Sequence, residues 1–117
     1  KPIMTEDNVF ILSKKNYLIC FNNKNGEMLW SRSVINQINK NYKKLNLNKA
    51  GIILNLSIAN NSILLSTSKG FIMFFDLKTG NLNEIIKIKK SSIASEPIFA
   101  NGFIYFFDKN GKLIQFG

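Results

Sequence analysis

Residues 9–29, VFILSKKNYLICFNNKNGEML, overlay residues 63–83, ILLSTSKGFIMFFDLKTGNLN, without a gap at an offset of 54 positions. Each copy reads as an apolar run, a short polar turn and a second apolar run. An Asx-x-Lys-x-Gly turn follows, at residues 22–26 and 76–80. A third copy at residues 103–116, FIYFFDKNGKLIQF, carries one extra residue in its turn. Self-similarity at such a period marks stacked supersecondary units, as in solenoids or propellers, none of which can bury its apolar surface alone.

The apolar runs at residues 9–12, 17–21, 63–65, 71–75 and 103–107 are short and rich in β-branched and aromatic side chains, which predicts strands. Their apolarity is nearly continuous instead of alternating, so both faces are expected to be covered by neighbouring sheets about 10 Å away. Ser13-Lys14-Lys15-Asn16, Ser68-Lys69-Gly70 and Asp108-Lys109-Asn110-Gly111 read as hairpin turns, because Asn and Gly tolerate positive φ. Residues 27–34 and 81–88 supply a further strand to each complete copy. Upstream strands are expected at residues 1–5 and 96–102, where Pro2 and Pro97 sit at the start, and more loosely at 55–62.

Four antiparallel strands joined by short loops make one blade of a β-propeller. The fold class is therefore all-β, a propeller fragment of about two and three-quarter four-stranded blades. The divisions are a blade at 1–34, an inter-blade insertion at 35–50, a blade at 51–88 and an incomplete last blade at 93–117. The chain starts at Lys1 instead of Met, and its last unit stops one strand early. Both features suggest the C-terminal part of a longer protein, whose last blade would borrow a strand from the other end.

The insertion breaks the period, because the spacing to the third copy is shorter by about fourteen residues. Ile35, Ile38, Tyr42, Leu45 and Leu47 give it a weak helical rhythm, while its Asn and Lys content favours a solvated or disordered loop. If it contacts a partner, Asn36, Lys40, Tyr42 and Lys43 are the candidate residues.

The net charge of +9 raises a nucleic-acid reading, and the distribution argues against it. Arg32 is the one arginine among sixteen basic residues, and lysines such as Lys14, Lys24, Lys69, Lys78 and Lys112 are scattered through turns. Bidentate arginine readout of bases or phosphates is missing. The chain has no His, which removes Ser-His-Asp and Cys-His triads and most zinc sites. Asp76 and Asp108 sit in turns, where local backbone hydrogen bonding explains them. Cys20, inside YLICF, is expected to be buried as a small hydrophobe. No catalytic, cofactor or metal residues are assigned.

Phe75-Asp76-Leu77-Lys78-Thr79-Gly80 and Asn25-Gly26-Glu27-Met28-Leu29-Trp30 together resemble the Leu-Asp-x-x-Thr-Gly-x-x-x-Trp hallmark of PQQ-type propeller repeats. The resemblance makes Gly26, Trp30, Asp76, Gly80, Asp108 and Gly111 structural repeat positions, with Trp30 packed between blades. Glu84 stands where the second copy would carry its Trp. Within that superfamily, Ser95-Glu96-Pro97-Ile98-Phe99-Ala100-Asn101-Gly102 and the final strands are similar to the end of the BamB family. That resemblance implies an eight-bladed, non-catalytic lipoprotein scaffold without cofactor, held at the periplasmic face of the bacterial outer membrane by an N-terminal lipid. It implies binding to the periplasmic repeats of the central barrel-assembly subunit. The alternatives are a PQQ-dependent dehydrogenase or a PQQ-like ligand-sensing propeller.

Overall fold

The computed structural model describes residues 2–42, 51–59, 61–87, 98–100, 103–107 and 113–116. The first copy of the repeat forms β1 (Ile3–Met4), β2 (Asn8–Leu12), β3 (Tyr17–Asn22) and β4 (Met28–Ser33). A helix, α1 (Val34–Asn41), follows directly. The second copy forms β5 (Ile53–Ala59), β6 (Ser62–Thr67), β7 (Phe71–Asp76) and β8 (Leu82–Lys87). The third supplies β9 (Ile98–Ala100), β10 (Phe103–Phe107) and β11 (Leu113–Phe116). Each sheet is an antiparallel meander in chain order: β1-β2-β3-β4, β5-β6-β7-β8 and β9-β10-β11.

The offset of 54 carries through to register. Val9 pairs with Phe21 as Ile63 pairs with Phe75, and Phe10 pairs with Cys20 as Leu64 pairs with Phe74. Even the irregularity repeats. Cys20 pairs with Trp30 but Phe21 with Met28, leaving Leu29 unmatched. Likewise Phe74 pairs with Glu84 but Phe75 with Leu82, leaving Asn83 unmatched. An extra residue on one strand is a β-bulge, which bends that strand and raises its twist. The turn hydrogen bonds recur as well: Asn22 N–H donates to Glu27 O at 2.8 Å, and Asp76 N–H to Asn81 O at 2.8 Å.

Packing distinguishes the copies. One core cluster contains Phe10, Leu18, Cys20 and Trp30 of the first sheet, Val34 and Ile38 of α1, and Ile63, Leu65, Met73, Phe75 and Leu82 of the second sheet. Leu64 and Ile72 are also buried, yet they point to the opposite face of the second sheet by strand alternation. That sheet is thus covered on both faces, as its unbroken apolar runs predict. The first sheet is not. Val9, Ile11, Ile19 and Phe21 on its outer face remain half-buried, because among the described residues only the second sheet and α1 pack against it.

The insertion also departs from expectation at its start. The strand expected to reach residue 34 ends at Ser33, and in place of a solvated loop Val34–Asn41 form α1, with Val34 and Ile38, one turn apart, fully buried. Ser33 caps the helix, its hydroxyl accepting from Asn36 N–H at 3.2 Å. Tyr42 N–H closes the other end on Ile38 O at 2.8 Å. Burying two such side chains contributes roughly 1.5–3 kcal/mol each, enough to hold a helix too short to persist alone.

Candidate functional site

The seam between the first two sheets brings together Trp30 and Gly80, two of the residues that the repeat motif singles out. Trp30, 8% exposed, leaves β4 toward the second sheet, with the Phe10 ring tilted against it at a centroid distance of 6.1 Å. It also rests on Gly80. A Cβ placed on Gly80 would lie 2.5 Å from the six-membered ring of Trp30, so the indole sits directly on the glycine backbone. Gly80 also has a φ of +76°, where side chains of L-residues are strained.

Asp76 organises the turn that presents Gly80. Its carboxylate accepts from Thr79 N–H at 2.9 Å and from the Thr79 hydroxyl at 3.0 Å, which holds its pKa below the ordinary 3.8. In the first copy Asn22 does the same with its amide oxygen, accepting from Lys24 N–H at 2.8 Å and Asn25 N–H at 3.2 Å. Gly26 closes that turn with a φ of +72° and no atom within 4 Å of an added Cβ. Asp108 and Gly111 lie outside the described residues. Burial in the seam pushes the Cys20 thiol above its ordinary pKa, as a structural cysteine requires.

The candidate partner residues separate. Tyr42 packs against the core cluster, so its ring is committed to the fold. Asn36 and Lys40 are exposed, and Lys43 lies outside the described residues. The residue that sequence reasoning missed is Gln37. Its Nε2 donates to Gly80 O at 2.9 Å, and its Oε1 accepts from Leu82 N–H at 2.7 Å. The side-chain amide thus joins the end of the second sheet as another peptide group would. Beside it, Arg32 Nε donates to Asn81 Oδ1 at 3.3 Å and Nη1 to Ser31 O at 3.1 Å. Carrying the strand through Val34 hides Ser33 as a helix cap, and nothing local marks Gln37.

Two open depressions flank the seam. One, of about 670 Å³, lies between β1 and β5 and is lined mainly by Ile3, Met4, Leu12, Leu54, Leu56 and Ile58. The other, of about 510 Å³, is lined by Arg32, Gln37, Lys40, Asn81 and Leu82. Among the described residues, no group of three or more His, Cys, Asp or Glu could hold a metal ion, and no helix is long and apolar enough to cross a membrane. The arrangement offers contact surfaces, and no cluster of acid, base and nucleophile converges in either depression.

The family model described as outer membrane protein assembly factor BamB matches residues 1–117. The chain belongs to that family of PQQ-type repeats. No curated protein matches it in sequence. Among solved structures, BamB from Moraxella catarrhalis is similar with a TM-score of 0.66 and 17% identity, over 98% of this chain and 30% of that one. The computationally designed Ika4 protein matches with a TM-score of 0.66 and 16% identity, over 98% of this chain and 62% of the design. A europium-containing methanol dehydrogenase matches with a TM-score of 0.61 and 15% identity, over 97% of this chain and 24% of the enzyme. These likenesses establish the fold as part of a β-propeller, and the chain spans under a third of the BamB structure.

Proposed function

We propose that the chain is part of a non-catalytic scaffold of the BamB type, which assists the assembly and insertion of β-barrel proteins into the outer membrane. The observation that carries this reading is the family match across residues 1–117. In this reading the partner is the set of periplasmic repeats on the central barrel-assembly subunit. The protein works at the periplasmic face of the outer membrane, attached through an N-terminal lipid. No nucleic acid or cofactor takes part.

The physical character of the seam supports it. Trp30, Gly80 and Gln37 are all spent on holding sheets together, which gives a rigid body with loops on its rim. Rigid presentation lowers the entropy lost on binding a partner. The dehydrogenase reading draws only on fold similarity at 15% identity and has no residue-level support.

The test is binding of the intact protein to the soluble periplasmic repeats, at low and moderate salt, by calorimetry. Saturable binding that persists at moderate salt is expected. Binding of PQQ in the presence of calcium, with none to the repeats, would transfer the protein to the quinoprotein class. Attraction that disappears with salt would reduce the interaction to surface lysines.

A further inference from the structure

We propose that the notch between α1 and the start of β8 is a docking point for an acidic residue of an extended segment in a protein partner. This rests on the scaffold reading and assigns it a surface. The notch is built by the insertion, which the blade repeat does not need. Its helix brings Lys40 to the rim of the depression that holds Arg32, the one arginine of the chain.

Arg32 is preorganised. Nε is fixed on Asn81 and Nη1 on Ser31, so the guanidinium plane is set while donors on Nη2 remain for a ligand. Among the described residues no carboxylate pairs with Arg32 or Lys40. The opposite wall is equally fixed, because Gln37 is tied to both Gly80 O and Leu82 N–H. Leu82, 8% exposed, supplies an apolar side to the depression. A ligand therefore meets two cations with no anion of the described residues to displace.

The polar groups left over specify the ligand. A carboxylate satisfies the arginine edge and the lysine ammonium together. The Asn81 amide uses its oxygen on Arg32, and its NH₂ can donate to a peptide carbonyl next to that carboxylate. An Asp or Glu within an extended segment provides both acceptors at adjacent positions. A nucleic acid strand needs a track of cations, whereas among the described residues this notch has two, and Lys14, Lys24, Lys69 and Lys78 lie in separate turns.

The experiment uses the intact protein and a fluorescein-labelled Gly-Ser peptide carrying Asp-Glu-Asp, read by anisotropy at low and moderate salt. Arg32→Gln is expected to weaken binding about tenfold, as loss of a charge-assisted hydrogen-bond pair does. Arg32→Lys restores only part of the loss, because the ammonium lacks the planar fork. Lys40→Gln weakens binding by a smaller factor without disturbing the seam, since Lys40 is exposed. That variant keeps the test valid if Arg32→Gln loosens the Asn81 contact and lowers the melting temperature. Lys14→Gln with Lys15→Gln, remote from the notch, leaves binding unchanged.

Equal losses in the notch and remote variants would overturn the proposal in favour of diffuse charge. So would tight binding of inorganic phosphate or anionic phosphatidylglycerol vesicles, with the same Arg32 and Lys40 dependence, while the peptide fails to bind. The two readings separate cleanly. If the intact protein binds the barrel-assembly repeats and Arg32→Gln with Lys40→Gln binds them equally well, the scaffold stands and the notch falls. If the repeats do not bind but the peptide does so through Arg32 and Lys40, the partner assignment falls and the notch stands.

Discussion

Gly26 and Gly80 occupy the same position in two copies of one motif, and their backbones agree closely. Their φ values are +72° and +76°, and each N–H returns to the Asx carbonyl four residues earlier, at 2.9 and 2.8 Å. Their surroundings do not agree. A side chain on Gly26 would meet nothing within 4 Å, whereas one on Gly80 would strike the indole of Trp30. The repeated requirement is local and belongs to the turn. The second requirement is tertiary, and Trp30 imposes it from another sheet. A related contrast runs along the strands, where Phe10, Cys20 and Trp30 form one row of the first sheet and Leu64, Phe74 and Glu84 the equivalent row of the second. Trp30 is buried and Glu84 is exposed.

The most severe way to break this comparison is to give the first row the residue of the second. Trp30→Glu is expected to destabilise the intact protein by about 3–5 kcal/mol, through lost aromatic packing and a carboxylate forced into the seam. Denaturant unfolding measures it, and a loss below about 1 kcal/mol would show that the indole does not hold the sheets. Next is Gly80→Ala, expected to cost about 2–4 kcal/mol because backbone strain adds to the collision with Trp30. Gly26→Ala should cost about 1–2 kcal/mol from strain alone. Equal losses at the two glycines would erase the distinction between them.

Gln37→Ala sharpens the comparison at its rim. It strands Gly80 O and Leu82 N–H, and about 1–3 kcal/mol should be lost. Amide hydrogen exchange at Leu82 should speed up while exchange at Met28, the equivalent position in the first sheet, stays constant.

The two turns should also differ in acid. Thr79 donors hold the folded pKa of Asp76 below 3.8, so its stabilising contribution is present above that value and is lost as the pH falls through the lowered folded value. Asp76→Asn should remove this dependence and leave a second turn as insensitive to acid as the one built on Asn22. Unchanged acid-unfolding profiles would contradict it. The smallest effect is expected at Glu84→Ala, within about 0.5 kcal/mol, as for an exposed surface side chain.

Much of this was legible in the residues. Strand-forming runs, Asx-Gly turns and the 54-residue offset specify two equal meanders, because each depends on interactions within a few positions of the chain or across one hairpin. The shared bulge follows from the same equivalence, since Leu29 and Asn83 occupy one position of the repeat. The insertion was harder to read. Ile35, Ile38 and Tyr42 gave only a weak helical rhythm, and the surrounding Asn and Lys masked how firmly the helix docks through Val34 and Ile38.

The sequence by itself determined the meander, its turns and its repeat, since backbone conformation and hairpin pairing are governed by nearby residues. It also determined that Trp30 and Glu84 are counterparts. Only the tertiary structure decided that Trp30 rests on Gly80, that Gln37 completes the edge of a sheet over forty positions away, and that Arg32 and Lys40 share one notch. These contacts set residues of the first sheet and of α1 against the turn and strand start at residues 80–82 of the second sheet. No periodicity records them, because they are fixed by how one twisted sheet settles on the next.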